Sequence, residues 1–193
     1  MRQALIFAAL VGIASILLAG CSSSPKAKSE SEQATMASDS SAALTAFNND
    51  DPSLKELMDK AVGYAIFPEV SKAGFIAGGS YGKGEVFENG TKVGWADITQ
   101  GTFGLQAGAQ TFSELILFLK PEELQKFKQG EFSFAGNVSA VAAKAGAAKT
   151  ADASKGVVVF ARTKGGLMAE ASLGGQRFRF EPISSATTKP SAS

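Results

Sequence analysis

The stretch Glu85-Val86-Phe87-Glu88-Asn89-Gly90-Thr91-Lys92-Val93-Gly94-Trp95 decides the fold. Asn89-Gly90 sits between two short apolar runs, and Asn-Gly tolerates the positive φ angles of a type I′ turn, so the segment reads as a β-hairpin. Working back from it, Lys72 to Tyr81 reads as a glycine-rich strand, and Tyr64-Ala65-Ile66-Phe67 as a short extended run stopped by Pro68. Working forward, Gly101 to Leu119 reads as a strongly curved strand, or as two strands sharing a bend.

Helices punctuate the ends of this region. Asp51 as N-cap, Pro52 at the first helical position and Leu54, Leu57, Met58 and Ala61 on one face predict a helix that Gly63 ends. Pro121 to Phe127 is a second, with acids at its positive end and Gly130 beyond its last turn. Ala140 to Ala148 is ambiguous and leans towards strand. Gly156 to Ala161 reads as a buried strand, and Leu167 to Leu173 with Gln176 to Phe180 as a final hairpin. The expected class is α+β, predominantly antiparallel β: a curved sheet or partly closed barrel with a few peripheral helices.

Before the folded region, residues 1–20 read as an export signal, with Arg2 preceding an apolar run too short for a comfortable membrane span. The run ends in Leu18-Ala19-Gly20-Cys21, which resembles a bacterial lipobox, with Cys21 as the lipidated residue. Residues 21–41 are rich in Ser, Lys, Glu and Ala and are expected to form a flexible tether. The folded domain is expected over 42–181 and a disordered tail over 182–193.

Composition excludes much chemistry. The chain of 193 residues has no histidine and one cysteine, so His-based triads, Cys-His dyads and His or Cys zinc sites are ruled out. Ser, Lys, Asp and Glu show no distinctive pairing, and the expectation is no enzyme, no cofactor, no metal and no small-molecule substrate. A net charge of +1 argues against nucleic acid as a partner. Beyond Glu131, however, basic residues outnumber acids. Lys155, Arg162, Lys164, Arg177 and Arg179, near strand ends or turns, are therefore the candidate lipid-binding residues.

Ala61-Val62-Gly63-Tyr64-Ala65-Ile66-Phe67-Pro68, Lys72-Ala73-Gly74-Phe75, Tyr81-Gly82-Lys83-Gly84, Gly104-Leu105-Gln106-Ala107-Gly108-Ala109-Gln110 and Lys164-Gly165-Gly166-Leu167, in that order, resemble the SYLF domain over about residues 42–181. The resemblance implies a mainly β fold with peripheral helices, phospholipid and especially phosphoinositide binding, and actin regulation in eukaryotic members. Two features depart from the family pattern. Thr35 to Asp51 carries no basic residue where lipid-binding relatives have a basic amphipathic segment, and Asn137 stands where an acid is frequent. The expected function is thus a lipid-anchored protein of the bacterial cell envelope, at the outer membrane, whose domain binds membrane phospholipid headgroups. The alternative is a periplasmic or surface scaffold that binds an unidentified envelope protein.

Overall fold

The computed structural model describes residues 29–74, 77–103, 108–132, 138–142, 144–163 and 175–183. Helix α1 (Glu30–Asp50) and the short α2 (Leu54–Asp59) lead into three strands: β1 (Gly63–Gly74), β2 (Ala77–Glu88) and β3 (Thr91–Phe103). Then come β4 (Gly108–Phe118), α3 (Pro121–Gln129), β5 (Val138–Ala142), α4 (Ala147–Thr150), a 3-10 turn (Ala153–Lys155), β6 (Val157–Thr163) and β7 (Gln176–Pro182).

The Asn89-Gly90 turn joins β2 to β3 as the sequence predicts, with φ of 50° and 77°. Pro121 opens α3, and Gly130 ends it in the left-handed region at φ 75°. There a side chain would be strained.

The seven strands form one sheet in the order β5-β6-β4-β1-β2-β3-β7. All neighbours are antiparallel except β5 and β6, which run parallel. This overturns the expectation of a curved sheet or partly closed barrel. The sheet is open and mixed, and its outermost described strands, β5 and β7, do not pair with each other. The cause is non-local: after the β1-β2-β3 meander the chain returns to lay β4 beside β1, on the far side from β3; β6 and β5 add outward from β4, and β7 crosses back to the other edge beside β3. Sequential hairpins alone would have produced a different order.

Two further expectations change. Pro68 does not end a strand: β1 continues through it, and the register with both neighbours shifts at this point, between Ile66 and Glu69 against β2 and between Phe67 and Val70 against β4. At such an irregularity the missing N–H costs no ladder bond, and Ser113 Oγ donates to the Pro68 carbonyl at 2.8 Å. The tether ends earlier than its composition suggests, because Glu30–Asp50 is one helix whose buried residues are Ser40, Ala43 and Phe47. Alanine-rich sequence forms helix at little cost, and the packed Phe47 fixes it to the domain. The expected hairpin arm at 167–173 and the tail from 184 lie outside the described residues.

Each face of the sheet carries a core. One gathers Phe67, Val70, Ile98, Ile116, Phe118 and Phe178 beneath Phe127 of α3 and Phe132. The other gathers Ile66, Leu115, Leu117, Val158 and Phe160 beneath α1, α2 and α4. Strands β4 and β6 are covered on both sides, which explains their continuous apolar runs. Asp51, buried between helices, accepts from the Ser53 amide and hydroxyl at 3.1 and 2.6 Å. It also accepts from the Gly146 and Ala148 amides at 3.1 and 2.7 Å, so it ties the α1–α2 junction to α4. Here Ser53, not Asp51, holds the N-cap position of α2.

Candidate functional site

On the face covered by α1, Tyr81 and Lys83 of β2 and Arg177 and Arg179 of β7 remain exposed. The alternation of β7 puts Gln176 and Phe178 inside and exposes Arg177 and Arg179 on the other face. Cross-strand register then assembles a polar lattice. Tyr81 pairs with Thr99 and Thr99 with Arg177; Lys83 pairs with Asp97 and Asp97 with Arg179. Directly opposed residues share a face at roughly 5 Å spacing, so Tyr81, Lys83, Arg177 and Arg179 stand on one surface that spans the three strands β2, β3 and β7.

The electrostatics of this lattice are mixed. Arg179 Nη2 is 2.5 Å from Glu181 Oε1, which keeps the guanidinium charged. Arg177 makes no ion pair among the described residues. Tyr81 is 48% exposed, an unusual setting for a large aromatic residue among the described residues. Burial and the Asp97 carboxylate push its hydroxyl up, against the pull of Lys83.

Two grooves flank α1. The larger, about 500 Å³, lies between Ser41, Leu44 and Asn48 of the helix and Glu85, Phe87 and Lys92 of the sheet. Lys92 is ion-paired to the buried Glu85 and sits 4.6 Å above the Trp95 ring. The smaller, about 310 Å³, includes Asp39, Glu69 and Arg162. Among the described residues no group of three or more His, Cys, Asp or Glu is placed to hold a metal ion. No described helix is long and apolar enough to cross a membrane.

The structure distributes the five sequence-derived lipid candidates unevenly. Arg177 and Arg179 adjoin on the open face. Arg162, on β6, is engaged by Asp50 at 2.5 Å beside α1. Lys155 closes the 3-10 turn before β6, at the opposite end of the strands from Arg177. Lys164 lies outside the described residues, as does the lipidation candidate Cys21. Sequence reasoning missed Tyr81 and Lys83. Their i, i+2 spacing matches that of Arg177 and Arg179, but only the β2-β3-β7 register shows that the two pairs share a face.

The described residues form an α+β domain on an open mixed sheet, with polar residues exposed on one face of β2, β3 and β7. Residues 99–182 match the family model described as Ysc84, Las17-binding protein actin regulator. A SYLF/Ysc84-like domain therefore occupies this part of the chain, from the second half of β3 to the end of β7, and includes Arg177 and Arg179. No curated protein matches the chain.

Proposed function

We propose that this protein is a non-catalytic module that binds anionic phospholipid headgroups through the β2-β3-β7 face, held at the bacterial cell envelope by lipidated Cys21. The observation that carries the reading is the placement of Arg177, Arg179 and Lys83 around the half-exposed Tyr81. Guanidinium groups bind phosphate oxygens through two parallel hydrogen bonds, and lysine adds a point charge. Tyrosine favours the headgroup region, where its ring meets apolar matter and its hydroxyl meets water. Asp97 and Glu181 temper the positive field, so binding depends on placed contacts more than on bulk charge.

Sedimentation of a Cys21→Ser chain with neutral and anionic vesicles tests the reading. Binding confined to anionic vesicles and weakened by salt supports it. A second reading, a protein-binding scaffold, draws on the family description, which names Las17 binding and actin regulation, and on the position of β7 as an outermost described strand that a partner strand could extend. Absence of vesicle binding at any salt concentration favours that reading instead.

A further inference from the structure

Glu114 is fully buried on β4, and Gln176, the first residue of β7, is 4% exposed. Gln176 Nε2 donates to Glu114 Oε2 at 3.0 Å. The two remaining oxygens of this pair, Glu114 Oε1 and Gln176 Oε1, are both buried and both lack a donor. Orphaned acceptors inside a core are costly, and two on one pair point to a shared missing donor. A carboxylic acid and a primary amide can close a ring of two hydrogen bonds, the acid O–H donating to the amide carbonyl and the amide N–H to the acid carbonyl. A single proton on Oε1 gives both orphans a partner.

We propose that one proton, shared between Glu114 Oε1 and Gln176 Oε1, latches the start of β7 onto β4 and makes the placement of Arg177 and Arg179 sensitive to pH. The surroundings favour the neutral form. Phe67 of β1 pairs with Glu114 in register, and Ala161 of β6 pairs with it on the other side. Toward the sheet centre lie Gly82 and Gly84 of β2 and Ala96 and Ile98 of β3, and Phe178 and Phe180 flank the partner on β7. Among the described residues the charged groups on this face stand at its ends: Lys72 of β1 beyond Val70, and at the other end, under α3, the pairs Glu88–Lys128 and Glu123–Lys126. Burial pushes the Glu114 carboxyl up to about 7, partly opposed by the Gln176 hydrogen bond. Loss of the proton leaves a buried carboxylate with one amide donor and returns both Oε1 atoms to orphans. The strand that begins at Gln176 is then released first. This latch stands whether or not the adjoining face binds lipid.

The test follows the side-chain carboxyl carbons of the full chain by NMR from pH 4 to 8.5, with amide hydrogen exchange over Arg177–Glu181 corrected for intrinsic base catalysis. The chain has no histidine, so no other side chain ordinarily titrates near neutrality. The expected result is a Glu114 midpoint close to neutral, with β7 protection falling at least tenfold across the same range. Glu114→Gln, which keeps a two-bond amide ring without a titrating group, holds β7 protected throughout. A Glu114 midpoint in the ordinary carboxyl range overturns the proposal, as does a β7 pH dependence that persists in Glu114→Gln. If that variant does not fold, the wild-type titration decides alone. Protection restored above pH 8 by added sodium or calcium would assign the two oxygens to a cation and likewise overturn it.

Discussion

Glu114 and Gln176 share a hydrogen bond of 3.0 Å although β1, β2 and β3 lie between their strands. In a flat sheet strands four places apart are separated by roughly 19 Å. The two residues are also displaced along the strands: Gln176 aligns with Gln100, whereas Glu114 aligns with Phe67. On the face between them β2 carries Gly82 and Gly84, whose lack of side chains leaves room for the contact. A Cβ on Gly84 would stand 2.4 Å from the Ile66 carbonyl and 2.7 Å from the Phe67 ring. Phe67 lies in that space and reaches Phe178, with ring centroids 5.9 Å apart.

Buried Glu114 sets the sign of the pH dependence of stability. Its folded-state value of about 7 exceeds the ordinary 4.5, so the stability from its protonation is complete below about 4.5 and is lost as pH rises towards 7. The loss is on the order of 3 kcal/mol. Urea denaturation of the full chain should therefore show a falling midpoint between pH 5 and 7 and little further change to pH 8. A midpoint flat over this interval contradicts a buried, protonated carboxyl.

Asp51 works in the opposite direction. Burial pushes its carboxyl up, but the hydrogen bonds from Ser53, Ala148 and Gly146 outweigh this and hold it below the usual range. Its contribution is present above the unfolded value and is lost as pH falls through the folded one. Asp51→Ala should cost about 2 to 3 kcal/mol, because the amides of Gly146 and Ala148 lose a charged acceptor. It should also flatten the acid limb of the denaturation profile.

Gly84 and Gly101 separate close approach from simple flexibility. Gly84→Ala drives a methyl into backbone and the Phe67 ring, and a loss of about 2 to 4 kcal/mol is expected. At Gly101 an added Cβ meets nothing within 4 Å, so Gly101→Ala should be neutral or stabilising by up to about 1 kcal/mol. Thermal denaturation of the two variants side by side checks the contrast.

Local structure was legible where chemistry is local. Asn89-Gly90 demanded a tight hairpin, and Pro121 and Gly130 bracketed α3. The strand order was not legible, because nothing in the run Thr111 to Phe118 says that it returns to β1, and period-two patterning is silent on which strands are neighbours. Of helix α1 only a short turn around Ala42, Leu44 and Phe47 was legible: Ala and Ser dominate the helix and few side chains are buried, so no longer apolar stripe marks it. The site was half legible. Arg177 and Arg179 alternate visibly, but Arg162 looked equally available until Asp50 was found beside it, and Tyr81 and Lys83 gained meaning only from register. Glu114, amid apolar neighbours, gave no sign of a partner 62 positions away.

Whether the β2-β3-β7 face reads anionic headgroups is tested most directly by the vesicle affinity of the Cys21→Ser chain with paired charge reversals. Arg177→Glu with Arg179→Glu should reduce binding to anionic vesicles at least tenfold while leaving the fold intact, and Lys155→Glu, at the other end of the strands, should leave it nearly unchanged. Equal losses from both variants, or no loss from the arginine pair, would contradict the account.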